Sequence, residues 1–119
     1  MAYVDGFVLP LPKKNLDAYR EISNKCGAIW REHGALEFRE CIADDVKPGK
    51  LTSFPQSVNL EADETVAFSW IVYESRAHRD EVNDKVMKDP RMADMMKPEN
   101  MPFDGKRMIY GGFEMLVDL

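Results

Sequence analysis

The stretch Thr65–Ser75, reading Thr-Val-Ala-Phe-Ser-Trp-Ile-Val-Tyr-Glu-Ser, most constrains what this chain can fold into. It is the longest nearly uncharged run, and its β-branched and aromatic residues favour a strand. Strand alternation puts Val66, Phe68, Trp70 and Val72 on one face and Ala67, Ser69, Ile71 and Tyr73 on the other. Both faces are mostly apolar, so the strand is expected to be central and covered on both sides. Helices of the same domain can cover one face. A second copy of the chain is the simplest cover for the other.

The segments around this strand give it a setting. Tyr3–Leu9 alternates as a first strand, which Pro10 and Pro12 are expected to stop because proline cannot donate to a ladder. Gly6 within it is expected to allow tight packing under a helix. Asn15–His33 has the clearest helical period, with Leu16, Tyr19, Ile22, Cys26, Ile29, Trp30 and His33 on one stripe. Gly34 is placed to end that helix at a positive φ. Ala35–Ala43 reads as a second strand, and Leu51–Leu60 as a further extended segment. Ser75 caps a helix over Arg76–Lys88. Asp89-Pro90 restarts the chain as N-cap and first helical residue, and Lys106–Val117 closes the sheet. Gly111-Gly112 leave room for a bulky group, most cheaply an aromatic ring.

The order is β-α-β, an extra β segment, then β-α-β. This predicts an α+β ferredoxin-like sandwich, helices on one face of an antiparallel sheet, as a single domain over residues 1–119. A sheet with helices on one side should be polar on the other, and the central strand is not. Sheet-to-sheet packing into a homodimer resolves the mismatch.

Composition excludes several functional classes. A formal charge of −5 and a pI near 5.0 argue against broad contact with nucleic-acid phosphates. No run approaches the ~18 apolar residues of a membrane span, and the first residues lack a signal-peptide pattern. Cys26 and Cys41 form no metal-type spacing, and each sits among apolar residues, so they are expected to be buried free thiols in a reducing cytoplasm. No phosphate-binding glycine loop, Ser-His-Asp set or metal-ligand spacing is present, so neither a metal nor a cofactor is expected.

Several motifs are more specific. Tyr3-Val4-Asp5-Gly6-Phe7-Val8, Phe68-Ser69-Trp70-Ile71, Asp89-Pro90-Arg91-Met92 and the long Pro102–Glu114 segment resemble the YbaA-like family of small bacterial proteins, which carry a domain of unknown function. The resemblance covers nearly the whole chain and implies the dimeric α/β-barrel superfamily, in which two ferredoxin-like protomers pack their sheets together. It supplies no reaction. Haem-degrading members of that superfamily use an Asn, a Trp and a His on comparable elements. Trp70 and His78 occupy similar places here, but Asp5 stands near the position of the Asn.

The remaining candidates form one constellation: His33 and Trp30 on the first helix, with Glu40, Trp70 and Tyr73 on strands. His33 is the expected acid or base, and Trp30, Glu40, Trp70, Tyr73 and His78 the expected ligand-binding residues. Glu40 is the odd member of an apolar strand face and requires a partner, either an arginine or a tryptophan N–H. Met87, Met92, Met95, Met96, Met101 and Met108 either line an adaptable pocket or fill irregular core space. The expected activity is binding of a small apolar or aromatic molecule between sheet and helices by a cytoplasmic homodimer, with cofactor-independent oxygenase or isomerase chemistry. The alternative is a non-catalytic dimeric module whose aromatics are all core.

Overall fold

A computed structural model describes residues 1–119. Its elements are β1 (Tyr3–Pro12), α1 (Leu16–Glu32), β2 (Glu37–Ile42), α2 (Phe54–Ser57), β3 (Glu64–Tyr73), α3 (Arg76–Lys88), α4 (Pro90–Met95) and β4 (Ile109–Glu114), with single 3₁₀ turns between some of them. The four strands form one antiparallel sheet in the order β2-β3-β1-β4. This is the ferredoxin-like arrangement, with β3 and β1 in the centre. No helix is long and apolar enough to cross a membrane.

The register assigns each residue of the central strand to a face. Ile71 and Tyr73 of β3 join Ile29 of α1, Val82 and Val86 of α3 and Met92 of α4 in the main core. Each such burial contributes about 1.5–3 kcal/mol. The opposite, outer face carries Phe68, Trp70 and Val72 of β3 beside Val4 and Val8 of β1 and Ile109 and Phe113 of β4. There Phe113 is 61% exposed, Ile109 46% and Phe68 41%. Trp70 therefore lies on the side away from α1, α3 and α4.

Local signals explain the helix boundaries. Gly34 ends α1 at φ +119°, as its position predicts. Ser75 Oγ accepts from His78 N to start α3, and Asp89 accepts from Arg91 N to start α4 with Pro90 at its first position.

Three expectations are corrected. Leu51–Leu60 is not an extended segment: Ser53 caps the short helix α2, where Pro55 sits in the first turn with its φ already suited to a helix. Val58 then buries against Val8 and Val66 on the outer face. Second, β1 does not stop at Leu9 but pairs with β3 as far as Pro12↔Glu64. Beyond Val8 it has no β4 neighbour, and prolines are tolerated where one side of a strand is free. Third, Gly6 packs under no helix. Alternation places it with Val4 and Val8 on the outer face, where an added Cβ would meet nothing within 4 Å. Gly112 instead carries the aromatic cover expected of the glycine pair, the Tyr3 ring.

Candidate functional site

Helix α1 presents Tyr19, Ser23, Cys26 and Trp30 toward the sheet at steps of three and four residues. Strand β2 turns Phe38 and Glu40 toward the same space, in register with Ile71 and Ser69 of β3. Between them lies a cavity of about 570 Å³, within the range of small-molecule sites. Its walls also include Phe7 from β1, Tyr110 from β4 and Phe103 from the segment between α4 and β4. Met87, Met92, Met95, Met96, Met101 and Met108 all border it. Their flexible thioethers make an adaptable apolar wall.

The polar groups form three sets. Tyr19 Oη donates to Glu40 Oε2 at 2.5 Å. Arg79 donates from Nη1 to Asp5 Oδ1 at 2.9 Å and from Nε to Asp80 at 2.8 Å, with its guanidinium 4.9 Å from the centre of the Tyr3 ring. Asn83 Oδ1 accepts from Trp30 Nε1 and Tyr73 Oη, each at 3.3 Å.

These settings alter the proton affinities. Glu40 is itself exposed on the edge strand β2, and protein atoms crowd one side of its carboxyl group. That burial raises its pKa, against the lowering effect of hydrogen bonds from Tyr19 and Ser69. Tyr19 is pushed well above the ordinary phenol range, first by burial and then by the Glu40 charge and hydrogen bond. Asp5 is also raised by burial, partly opposed by Arg79.

Two of the sequence-selected residues, Trp30 and Glu40, thus meet at the cavity. Glu40 finds its partner in the Tyr19 hydroxyl rather than the arginine or tryptophan expected. Tyr73 is fully buried behind the wall and reaches the cavity only through Asn83. Trp70 is on the outer face. His78 Nδ1 accepts from Glu74 N at 3.0 Å and its ring meets Tyr73 edge-on, outside the lining.

His33 also lies outside the lining. Its Nε2 is 2.8 Å from Asp89 Oδ2. Asp89 accepts from Arg91 Nε at 3.0 Å and Arg91 Nη2 at 2.6 Å, and Arg91 reaches on to Glu32. Glu32, His33 and Asp89 converge as metal ligands would, but the Arg91 guanidinium holds both carboxylates. Hydrogen bonds from Arg91 and then His33 depress the Asp89 pKa far below the usual carboxylate range. His33 is therefore a fastener between the end of α1 and the α3–α4 junction.

Tyr19, Asp5, Arg79 and Asn83 were not singled out from the sequence. Tyr19 was accessible, since it lies on the same helical stripe as Trp30. Asp5 was too, because it alternates with Phe7 and Leu9. Nothing local marked Arg79 or Asn83.

A model of the family described as "Protein of unknown function (DUF1428)" matches residues 2–105. The Escherichia coli K12 protein described as "Uncharacterized protein YbaA" is 52% identical over 118 residues, covering 99% of each chain. The Shigella flexneri protein of the same description matches to the same extent. Among solved structures, an uncharacterised NIPSNAP domain protein from Burkholderia xenovorans superposes with a TM-score of 0.55 at 11% identity, over 94% of this chain and 92% of that one. At that identity the likeness concerns the fold alone.

Proposed function

The chain belongs to this DUF1428 family, and from that premise we propose that it is a cytoplasmic homodimer that binds a small apolar or aromatic molecule in the helix-side cavity. It exchanges a proton with that molecule through Glu40, as a cofactor-independent isomerase. The observation that carries this reading is the Glu40–Tyr19 pair at the wall of an apolar cavity. A carboxylate whose pKa is raised by crowding is a stronger base and holds its proton closer to neutral pH. Removing a proton from one carbon and returning it to another needs no further reactant. Trp30, Phe38 and the methionines would exclude water and shape the site.

The outer sheet face supports the homodimer. Phe113, Ile109 and Phe68, beside the half-buried Trp70, form an apolar surface that α2 covers only in part, through Phe54 against Phe68, and patches of this kind mark association sites. A symmetric pair would bury the same patch on each copy. Cys26 is half-buried and Cys41, on the edge strand β2, is exposed rather than buried as expected; both are free thiols, which suit a reducing compartment.

The reaction is tested by deuterium uptake from heavy water into aryl ketones such as phenylacetone, followed by mass spectrometry. Exchange by the wild type but not by Glu40→Gln is expected. Equal exchange by both would remove Glu40 from the chemistry. Sedimentation at micromolar concentration should show a dimer, and Phe113→Asp should shift it to monomer. A wild-type monomer would refute the assembly. A dimer without exchange activity would favour the second reading, a non-catalytic dimeric module.

A further inference from the structure

The cavity has a charge pattern that goes beyond its shape and selects among ligands. Both arginines of its lining are already engaged: Arg79 binds Asp5 and Asp80, with Nη2 3.4 Å from the Tyr3 hydroxyl, and Arg39 pairs with Glu37. Glu40 has the opposite status. Its hydrogen bond comes from the neutral hydroxyl of Tyr19. The guanidinium of its chain neighbour Arg39 turns to Glu37 and to the Phe38 carbonyl. Arg79 is held by Asp5 and Asp80 and Arg39 by Glu37, so no cation pairs with Glu40.

Aromatic rings surround that charge. Tyr19 meets Phe103 edge-on with centroids 5.8 Å apart, and Trp30 and Phe38 lie 6.1 Å apart. A carboxylate set among aromatic faces and thioethers attracts a weakly hydrated organic cation, by charge and by cation–π attraction. The same set repels a carboxylate or phosphate, for which no free cation is available.

We infer that the ligand of this cavity is a hydrophobic amine in its protonated form, with its ammonium group on Glu40 and its aryl or alkyl body along the methionines. This rests on the reading of the cavity as a ligand site and names the chemical class that it takes.

The test compares three probes of nearly equal size by calorimetry on the full-length protein at neutral pH: 2-phenylethylammonium, 2-phenylethanol and phenylacetate. The amine should bind at least about tenfold more tightly than the alcohol, with phenylacetate weakest. In Glu40→Gln, shown to be folded by circular dichroism, the amine should fall to the level of the alcohol. If the alcohol or phenylacetate binds the wild type as tightly as the amine, the charge inference fails and the cavity reading survives. Amine preference retained in Glu40→Gln also overturns it. If none of the three binds, the cavity reading and the inference fall together.

Discussion

Helix α1 meets a carboxylate at each end, and the two meetings differ in kind. Near its start Tyr19 holds Glu40; just past its end His33 holds Asp89. Asp89 accepts hydrogen bonds from the Arg91 guanidinium and from His33, which depress its pKa, so it is most stable ionised. Glu40 is crowded and served only by hydroxyls, so its ionised form is penalised. The first arrangement holds two helices together. The second favours the protonated carboxyl, a perturbation of the kind that clusters at functional sites.

Four measurements would break or sharpen this contrast. The largest effect is expected at Glu40: Glu40→Gln should reduce proton exchange at least about 100-fold, about 2.7 kcal/mol in the barrier. Its melting temperature should be unchanged or higher, because a crowded charge has been removed. A clear fall in stability would place Glu40 with the fasteners.

The reverse is expected at Asp89. Replacing it with alanine frees His33 and Arg91 and removes the cap of α4, and should lower the melting temperature by several degrees while leaving amine affinity within about twofold. A melting temperature equal to wild type would show the clasp to be ornamental.

Acid titration should separate the two carboxylates by sign. The folded-state pKa of Asp89 lies below its unfolded value, as does that of Glu64, which Arg107 binds with both Nη atoms at 2.7 Å. Their stabilisation is complete above the ordinary carboxylate value of about 4 and is lost as pH falls through their folded values. Glu40 is raised, so its penalty is present at neutral pH and disappears as pH falls through its own folded value. Urea melts between neutral and acidic pH should show Asp89→Asn flattening the acid loss and Glu40→Gln removing a penalty at higher pH. Identical profiles for both variants would contradict the assignment.

The smallest effect is expected at Gly27. A Cβ there would come 2.6 Å from the Phe38 ring, so Gly27→Ala must shift a wall of the cavity. Alanine also improves helix propensity by about 1 kcal/mol, so stability should change little while probe affinity changes a few-fold. Unchanged affinity would mean that Phe38 does not shape the site.

The fold was more legible than the site. The helical stripe of α1, the alternation of β3 and the Ser75 and Asp89 caps are local patterns, and each element formed where its pattern lay. Leu51–Leu60 misled because its apolar residues suit a strand, whereas Ser53 and Pro55 start a helical turn. Gly6 misled because a missing side chain does not reveal which face it leaves bare. At the site, Glu40 was conspicuous as a charge on an apolar face. His33 was conspicuous too, but its stripe points toward Asp89 as much as toward the cavity.

The sequence alone determined that β3 is central, that each of its faces is apolar and that Glu40 needed a partner. Alternation and helical period are properties of single segments, so they can be read without knowing the neighbours. Tertiary structure decided which face met the helices, and so turned Trp70 outward, placed Tyr19 against Glu40 and tied His33 to Asp89. Those outcomes depend on the register between β2, β3 and β1 and on how α1 crosses them. They are relations between distant segments that no local pattern contains.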